Sequence, residues 1–191
     1  MVTRRAFLQG AAATGAGATL VAEPTLASWL EAGGPVVAVV DQRVGSGRQF
    51  NEALRSRGIA VQADEYDPAV VLARLAEEFA PGGYTVIGLT QMATFLIAER
   101  AGVDNGLNLA WRGDHRLLPN GQLQHRLRGR AEAMSALALD QADDSWAYTL
   151  GQHLVNARLE GAAEEQSFTT MVARPRQQTG SLVSWVLVPR A

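Results

Sequence analysis

Short apolar runs alternate with segments of helical spacing through the first half of the chain. Val36–Val40 is a continuous apolar run between Gly33-Gly34-Pro35 and Asp41, which is typical of a strand covered on both faces. Similar runs predict further strands at 59–63, 84–89 and 107–111. The alternation with helical segments predicts strand–helix units over about 35–112, and therefore a largely parallel sheet.

Turn and cap residues mark the helices between these strands. Ser46 is predicted to cap the first helix, which Gly58 ends, and Asp67-Pro68 is predicted to begin the second. Thr90 is predicted to cap a third helix that runs through Ala101 and ends at Gly102.

The second half of the chain has a different pattern. Pro119-Asn120-Gly121 separates two strand-like stretches and predicts a hairpin, while 131–139 fits helix or strand equally. A helix is predicted from Asp143, with a buried face made of Trp146, Leu150, Leu154 and Ala157. Two strands follow, near 168–173 and 182–188. The last one, "LVSWVLV", is apolar enough to lie centrally in the sheet or against a partner subunit.

These elements predict one three-layer α/β domain with a mainly parallel, Rossmann-like or flavodoxin-like sheet. Residues 113–191 would add a C-terminal antiparallel extension of a hairpin, a helix and two strands. The chain has 191 residues, of which 47% are hydrophobic, enough to bury a core. No internal repeat interrupts this pattern.

Composition excludes several kinds of chemistry. The chain has no cysteine, so disulfides, thiolate metal sites and a cysteine nucleophile are excluded. The formal net charge of -2 argues against nucleic acid as a partner, because neutralising phosphates requires a basic excess. No metal site is predicted, and the sequence leaves the cofactor content open.

The first 27 residues are predicted to be a signal peptide ahead of a domain over 28–191. "TRRAFL" at 3–8 precedes an uncharged Ala/Gly-rich run at 10–22, and Thr25-Leu26-Ala27 offers small residues for cleavage. This order resembles the bacterial twin-arginine (Tat) signal. The alternative is an amphipathic N-terminal helix of a cytoplasmic protein.

The resemblance implies a cellular location rather than an activity. A translocase would recognise Arg4 and Arg5, and the protein would be exported already folded to the periplasm, as passengers carrying a cofactor or a partner often are. Whether the signal is cleaved or kept as an anchor stays open.

Polar residues follow the predicted strands at the edge where parallel sheets usually bind ligands. Arg43, Ser46 and Gly47 follow the first strand, and Thr90 and Gln91 follow the third, so these five are the candidate ligand-binding residues. They would form a small anion cradle at a helix start. A flexible loop and two ordinary helix caps are the alternative, because the spacing matches neither a P-loop nor G-x-G-x-x-G. The acidic cluster at 64–67 would lie at the same edge.

The stretch "WRGDHR" supplies most of the candidate catalytic residues. Arg112 could bind a carboxylate through two hydrogen bonds, and Asp114 could orient His115. Asp41, at the end of the first strand, is the fourth candidate. The alternative is a charged strand exit, since adjacent residues on a strand point to opposite faces.

The hairpin brings two histidines close together. A turn centred symmetrically on Asn120-Gly121 pairs His115 with Arg126 and His125 with Arg116. The imidazoles would then be diagonal neighbours on opposite faces, which gives a two-histidine metal site no support unless a bulge intervenes.

Three functional hypotheses remain open. The first is a periplasmic protein that binds a small polar or anionic ligand or serves as an accessory to a partner enzyme. The second is a small enzyme acting on a carboxylate- or phosphate-bearing substrate through Arg112, His115 and Asp41. The third is a structural or oligomer-forming protein that uses the last strand as its interface.

Overall fold

Seven strands form one mixed sheet in the computed structural model, which describes residues 35–63, 69–70, 73–74, 77, 83–130, 143–157, 163–171 and 181–190. The strands are β1 (Val36–Val40), β2 (Ala60–Ala63), β3 (Thr85–Gln91), β4 (Leu107–Leu117), β5 (Gln122–Arg130), β6 (Ala163–Met171) and β7 (Ser181–Pro189). The helices described along their whole length are α1 (Gly45–Arg55), α2 (Met92–Asp104) and α3 (Trp146–Asn156), the last preceded by a 3-10 turn at Asp143–Ser145. The described residues 69–70, 73–74 and 77 are helical as well. The α/β class is therefore confirmed.

The prediction of a mainly parallel sheet is wrong. In the order β2-β1-β3-β7-β4-β5-β6, only β2-β1 and β1-β3 pair in parallel, and the other four adjacent pairs are antiparallel. The last strand enters between β3 and β4, which would otherwise be parallel neighbours. The physical reason lies in its composition, because a strand with two apolar faces is most stable where both faces are covered.

Helices cover both faces of the sheet. On the first face, α1 and α3 pack over a core that includes Phe50, Leu54, Trp111 and Trp146. On the second face, α2 packs through Phe95 and Ala98 against β3, β7 and the Leu107 end of β4. Farther along β4, and on β5 and β6, this second face carries charged side chains instead.

Two predicted helix caps are wrong. The first helix begins at Gly45 with Val44 as its N-cap, so Ser46 lies inside the first turn. Likewise α2 begins at Met92 with Gln91 as its N-cap, and Thr90 still belongs to β3. Neither N-cap residue makes a side-chain capping bond. The buried face predicted for α3 is confirmed, since Trp146, Leu150, Leu154 and Ala157 are all buried.

The hairpin is confirmed, but its predicted register is wrong by one residue. Gly121 N–H donates to the Leu118 carbonyl, and Leu118 N–H donates to the Gln122 carbonyl. Gly121 has φ +81°, which places it after a turn with Pro119 and Asn120 in the central positions. Proline is preorganised for the first of these positions. Because the turn contains one residue more on the Leu118 side, His115 pairs directly with His125.

Several predictions fall outside the described residues. These are the signal segment 1–27, the acidic cluster 64–67, the ambiguous stretch 131–139 and most of the helix predicted after Pro68. Within the described ranges, no helix has both the length and the apolar character needed to cross a membrane.

Candidate functional site

The exit of β1 is organised around Asp41, whose side chain is buried. Arg43 donates from Nε to Oδ1 and from NH2 to Oδ2, each over 2.8 Å, and its backbone N–H also donates to Oδ1 over 3.1 Å. Gln91 Nε2 donates to Oδ2 over 3.4 Å. The guanidinium of Arg43 lowers the pKa of Asp41 against the opposing effect of burial. The structure thus brings three predicted site residues together, with the carboxylate already paired.

The other predicted edge residues support this exit. A Cβ on Gly47 would collide with the carbonyl oxygen of Asp41, so the close approach of α1 to β1 requires glycine there. Thr90 is buried, and its hydroxyl accepts a hydrogen bond from Trp185 Nε1 over 3.0 Å. Ser46 is also largely buried. Through these contacts the strand edge is packed, and the carboxylate of Asp41 takes the place of the anion that these residues were predicted to bind.

The fully buried histidine pair is a second polar group, on the first face of the sheet. His115 Nδ1 and His125 Nδ1 lie 2.7 Å apart. A zinc ion, with bonds of about 2.0 Å to each nitrogen, requires a wider gap between its ligands. Among the described side chains, no cluster of three or more metal-ligating groups occurs. The pair is therefore hydrogen-bonded directly.

Hydrogen bonds extend from this pair across four strands. Trp111 Nε1–H donates to Ser184 Oγ over 3.1 Å, and Ser184 Oγ lies 2.9 Å from His115 Nε2 and 3.5 Å from the Gly113 carbonyl oxygen. One proton lies between His115 Nδ1 and His125 Nδ1, and His125 Nε2 lies 3.1 Å from Thr170 Oγ1. Every ring nitrogen of both imidazoles therefore has a partner, and the tautomers decide which atom of each bond donates.

Burial keeps both imidazoles neutral. Desolvation lowers the pKa of His125 to about 4, and desolvation followed by the neighbouring His125 lowers the pKa of His115 well below its usual value. The Trp146 ring packs 4.6 Å from His115 between centroids, and Phe168 stacks 5.1 Å from His125. The aromatic rings enclose the pair, so neither imidazole is placed to meet a substrate in this conformation.

A third polar group lies on the second face, across β4, β5 and β6. Arg112, Asp114, Arg126, Arg128 and Glu165 line an open cleft of about 170 Å³, called the charged cleft below. Alternation along each strand explains the grouping, because these residues point away from the face that holds the histidines.

Ion pairs within the charged cleft lie both along one strand and between neighbouring strands. Arg112 NH2 lies 2.9 Å from Asp114, and Arg126 and Arg128 share Glu165 at 2.6 and 3.2 Å. The side chains of Arg126 and Arg128 are 63% and 66% exposed, so their remaining N–H groups face solvent. Hydrogen bonds from Arg126, and then from Arg128, lower the pKa of Glu165.

The predicted catalytic residues therefore occupy separate places. Asp41 lies at the β1 exit, His115 lies inside the first face, and Arg112 with Asp114 lies in the charged cleft. Sequence reasoning singled out Arg112 and Asp114 but missed Arg126, Arg128 and Glu165. The alternation of arginines in the predicted β5 arm signals two of these, whereas Glu165 becomes a neighbour only through the pairing of β5 with β6.

No protein-family model, no curated protein and no solved structure matches this chain.

Proposed function

We propose that this protein is a periplasmic ligand-binding or accessory protein that binds an anion in the charged cleft. The observation that carries the proposal is the surplus of guanidinium groups there. Three arginines face two carboxylates, and two of the three share one carboxylate. Arginine is well suited to bind carboxylates and phosphates because its planar N–H groups match their oxygen atoms.

The strand register adds a second argument. Arg112 and Arg128 are direct cross-strand partners, and like charges in that position destabilise a sheet. Arg112 relieves this repulsion by pairing with Asp114 on its own strand. A bound anion between the two guanidiniums would relieve it further, which supports the cleft as a site rather than an ordinary solvated face.

The two other hypotheses receive less support. An enzyme acting through His115 would need substrate to reach an imidazole enclosed by Trp146 and His125. An interface built on the last strand would need its side chains at the surface, and Leu182 to Leu187 are buried in the chain's own sheet. Export through recognition of Arg4 and Arg5 by the Tat translocase remains part of the proposal, and it is supported by the order of residues in 3–27.

Isothermal titration of the protein with inorganic phosphate and with succinate tests the proposal. We expect saturable binding of at least one of them and a loss of about tenfold in affinity in Arg128→Gln, because each charge-assisted hydrogen bond contributes about 1.5–3 kcal/mol. Arg57→Gln is the matched control, since it removes the same charge from the loop after α1, where Arg57 bonds Gln152. Equal weakening by both variants, or no binding of either anion, would overturn the proposal.

A further inference from the structure

We propose that the ligand is an amphiphilic anion, whose charged head binds in the charged cleft and whose aliphatic tail lies along one side of α2. This inference rests on the proposed function and names the ligand class for the same site. The ligand chemistry it specifies is a medium-chain aliphatic carboxylate with a single anionic head.

The side of α2 in question carries an apolar stripe made of Met92, Leu96 and Val103. Leu96 follows Met92 by about one helical turn and Val103 follows it by about three, so the three side chains line up along the helix. They are 36%, 52% and 40% exposed. With a rise of 1.5 Å per residue, the stripe is about 16 Å long.

The apolar stripe is in addition to the face that α2 already buries. Phe95, Ala98 and Gly102 lie toward the sheet, and Ile97, 44% exposed, lines a shallow pocket together with Leu96. A helix that is apolar on several sides is usually covered on more than one of them. The apolar stripe is therefore suited to being covered by a bound ligand.

Arg112 joins the apolar stripe to the charged cleft. Its NH2 lies 4.0 Å from Met92 Sδ at one end of the stripe and 2.9 Å from Asp114 in the cleft. Its guanidinium carbon also lies 5.0 Å from the centre of the Phe95 ring. An apolar surface that ends at a cluster of guanidiniums is complementary to a molecule with an apolar tail and an anionic head.

The carboxylate of Glu99, on this side of α2, favours a ligand that has a single anionic head. Glu99 lies about two turns after Met92, between Leu96 and Val103 along the stripe, and is partly buried. A second anionic group at the far end of the ligand would pass or meet this carboxylate. A neutral aliphatic tail is not repelled by this carboxylate, and its methylenes contact Met92 and Leu96 first.

Isothermal titration of the full chain with hexanoate and decanoate, both below their micelle-forming concentrations, tests the inference. A fully buried methylene strengthens binding about fourfold, so four half-buried ones give about fifteenfold tighter binding of decanoate. We expect Leu96→Ser to remove most of that preference. Tyr148→Ser in α3, on the other face of the sheet, is the matched control and should keep the preference, because Tyr148 is 37% exposed and far from the stripe. Arg128→Gln should weaken both carboxylates alike. Both serine substitutions are at exposed positions, and circular dichroism melting verifies that each variant is folded.

The outcomes separate this inference from the proposed function. Equal affinity for hexanoate and decanoate, with both weakened in Arg128→Gln, would overturn the tail site and leave the charged cleft as the anion site. Decanoate binding that Arg128→Gln does not weaken, or that Tyr148→Ser weakens as much as Leu96→Ser, would overturn the inference. Absence of binding by every carboxylate and by phosphate would overturn both.

Discussion

His115 lies between Asp114 and Arg116 in the sequence, and its imidazole bonds His125 and Ser184 on the other face of the strand. The direction a side chain takes from a strand decides its chemistry here. Asp114 is a half-buried ion-pair partner, whereas its neighbour His115 is a fully buried, neutral hydrogen-bonding group. Alternation along the strand predicted that these two side chains would separate, but it did not predict where each would lie.

Replacing His115 by alanine should destabilise the fold strongly. The substitution leaves His125 Nδ1 and Ser184 Oγ without their buried partner, which costs about 1–3 kcal/mol beyond the packing lost against Trp146. Urea denaturation followed by tryptophan fluorescence measures the effect. His153→Ala in α3 is the control, because His153 is only half-buried, and a similar loss in both variants would contradict a special role for the pair.

The histidine pair should also make stability depend on pH between 6.5 and 4. The folded pKa of His125 is about 4 and the usual value is 6.5, so in this range the unfolded chain binds more protons than the folded one. Stability is therefore complete above pH 6.5 and falls as pH falls, by about 3 kcal/mol for His125. The pKa of His115 is lowered in the same direction and adds to the loss.

Urea denaturation at several pH values should show a smaller loss over this range in His125→Gln than in the wild type. Asp41 and Glu165, whose pKa values are also lowered, lose their contributions only as pH falls below their usual values of 3.8 and 4.5. The two pH ranges overlap only between about 4.5 and 4, so the loss measured above pH 4.5 belongs to the histidines. An unchanged pH dependence in His125→Gln would show that the buried pair does not titrate as described.

At the scale of elements, the β4–β5 hairpin shows why the register escaped prediction. Asn120-Gly121 favours a two-residue turn, but Pro119 favours the position it takes in the longer one. A shift of one residue moves every side chain to the other face, and here it converts a diagonal histidine pair into a direct one. The turn preferences of Asn120-Gly121 and of Pro119 are of similar strength, so the local sequence does not decide between the two registers. The packing of the hairpin against α3 and β6 decides, and that packing cannot be predicted from the local sequence.

Gly121→Val should weaken the hairpin without touching the buried core. Gly121 has φ +81°, and a β-branched residue in this region is strained by about 1–2 kcal/mol. Thermal melting measures the loss, and Gly121→Asn, which tolerates positive φ better, should lose less. If valine and asparagine were equally tolerated, the turn would not require the left-handed conformation.

The helices illustrate the same division between local and non-local information. The amphipathic pattern of α3 predicted its buried face correctly, because its apolar residues recur at helical spacing on the side that is buried. The cap predicted at Ser46 was wrong because α1 begins one residue earlier, at Gly45. The cap predicted at Thr90 was wrong because Thr90 is held in β3 by ladder pairing and by its bond to the Trp185 indole. Trp185 is distant in sequence, so that partner could not be anticipated from the segment itself.

At the scale of the whole molecule, the insertion of β7 determines the architecture. The apolar pattern of "LVSWVLV" predicted a central strand or an interface, and the structure shows the central position between β3 and β4. The α/β class and most strand positions followed from periodicity. The strand order did not, because pairing partners far apart in sequence are chosen by the packing of the complete sheet. The charged cleft depends on that order, and so only two of its five lining residues were anticipated.

Trp185→Ala should destabilise the entire domain rather than one region. The ring is fully buried, packs against Phe95 and Gly88, and donates to Thr90 across the β3–β7 pair. Loss of a buried tryptophan side chain costs about 3–5 kcal/mol. Chemical denaturation should show one cooperative transition at lower urea concentration by both fluorescence and circular dichroism. Two separate transitions would show that the parallel and antiparallel parts of the sheet are independent units.

The measurement that tests the anion site most directly is a nuclear magnetic resonance titration of the isotope-labelled protein with hexanoate, whose tail is short. The amide and guanidinium signals of Arg112, Arg126 and Arg128, with the amide of Glu165, should shift together along a single saturable curve. Signals at the β1 exit, Asp41 and Gln91, should stay in place because the carboxylate there is already paired. Shifts centred on Asp41 and Gln91, or shifts scattered over all surface arginines without saturation, would contradict the assignment of the charged cleft as the anion site.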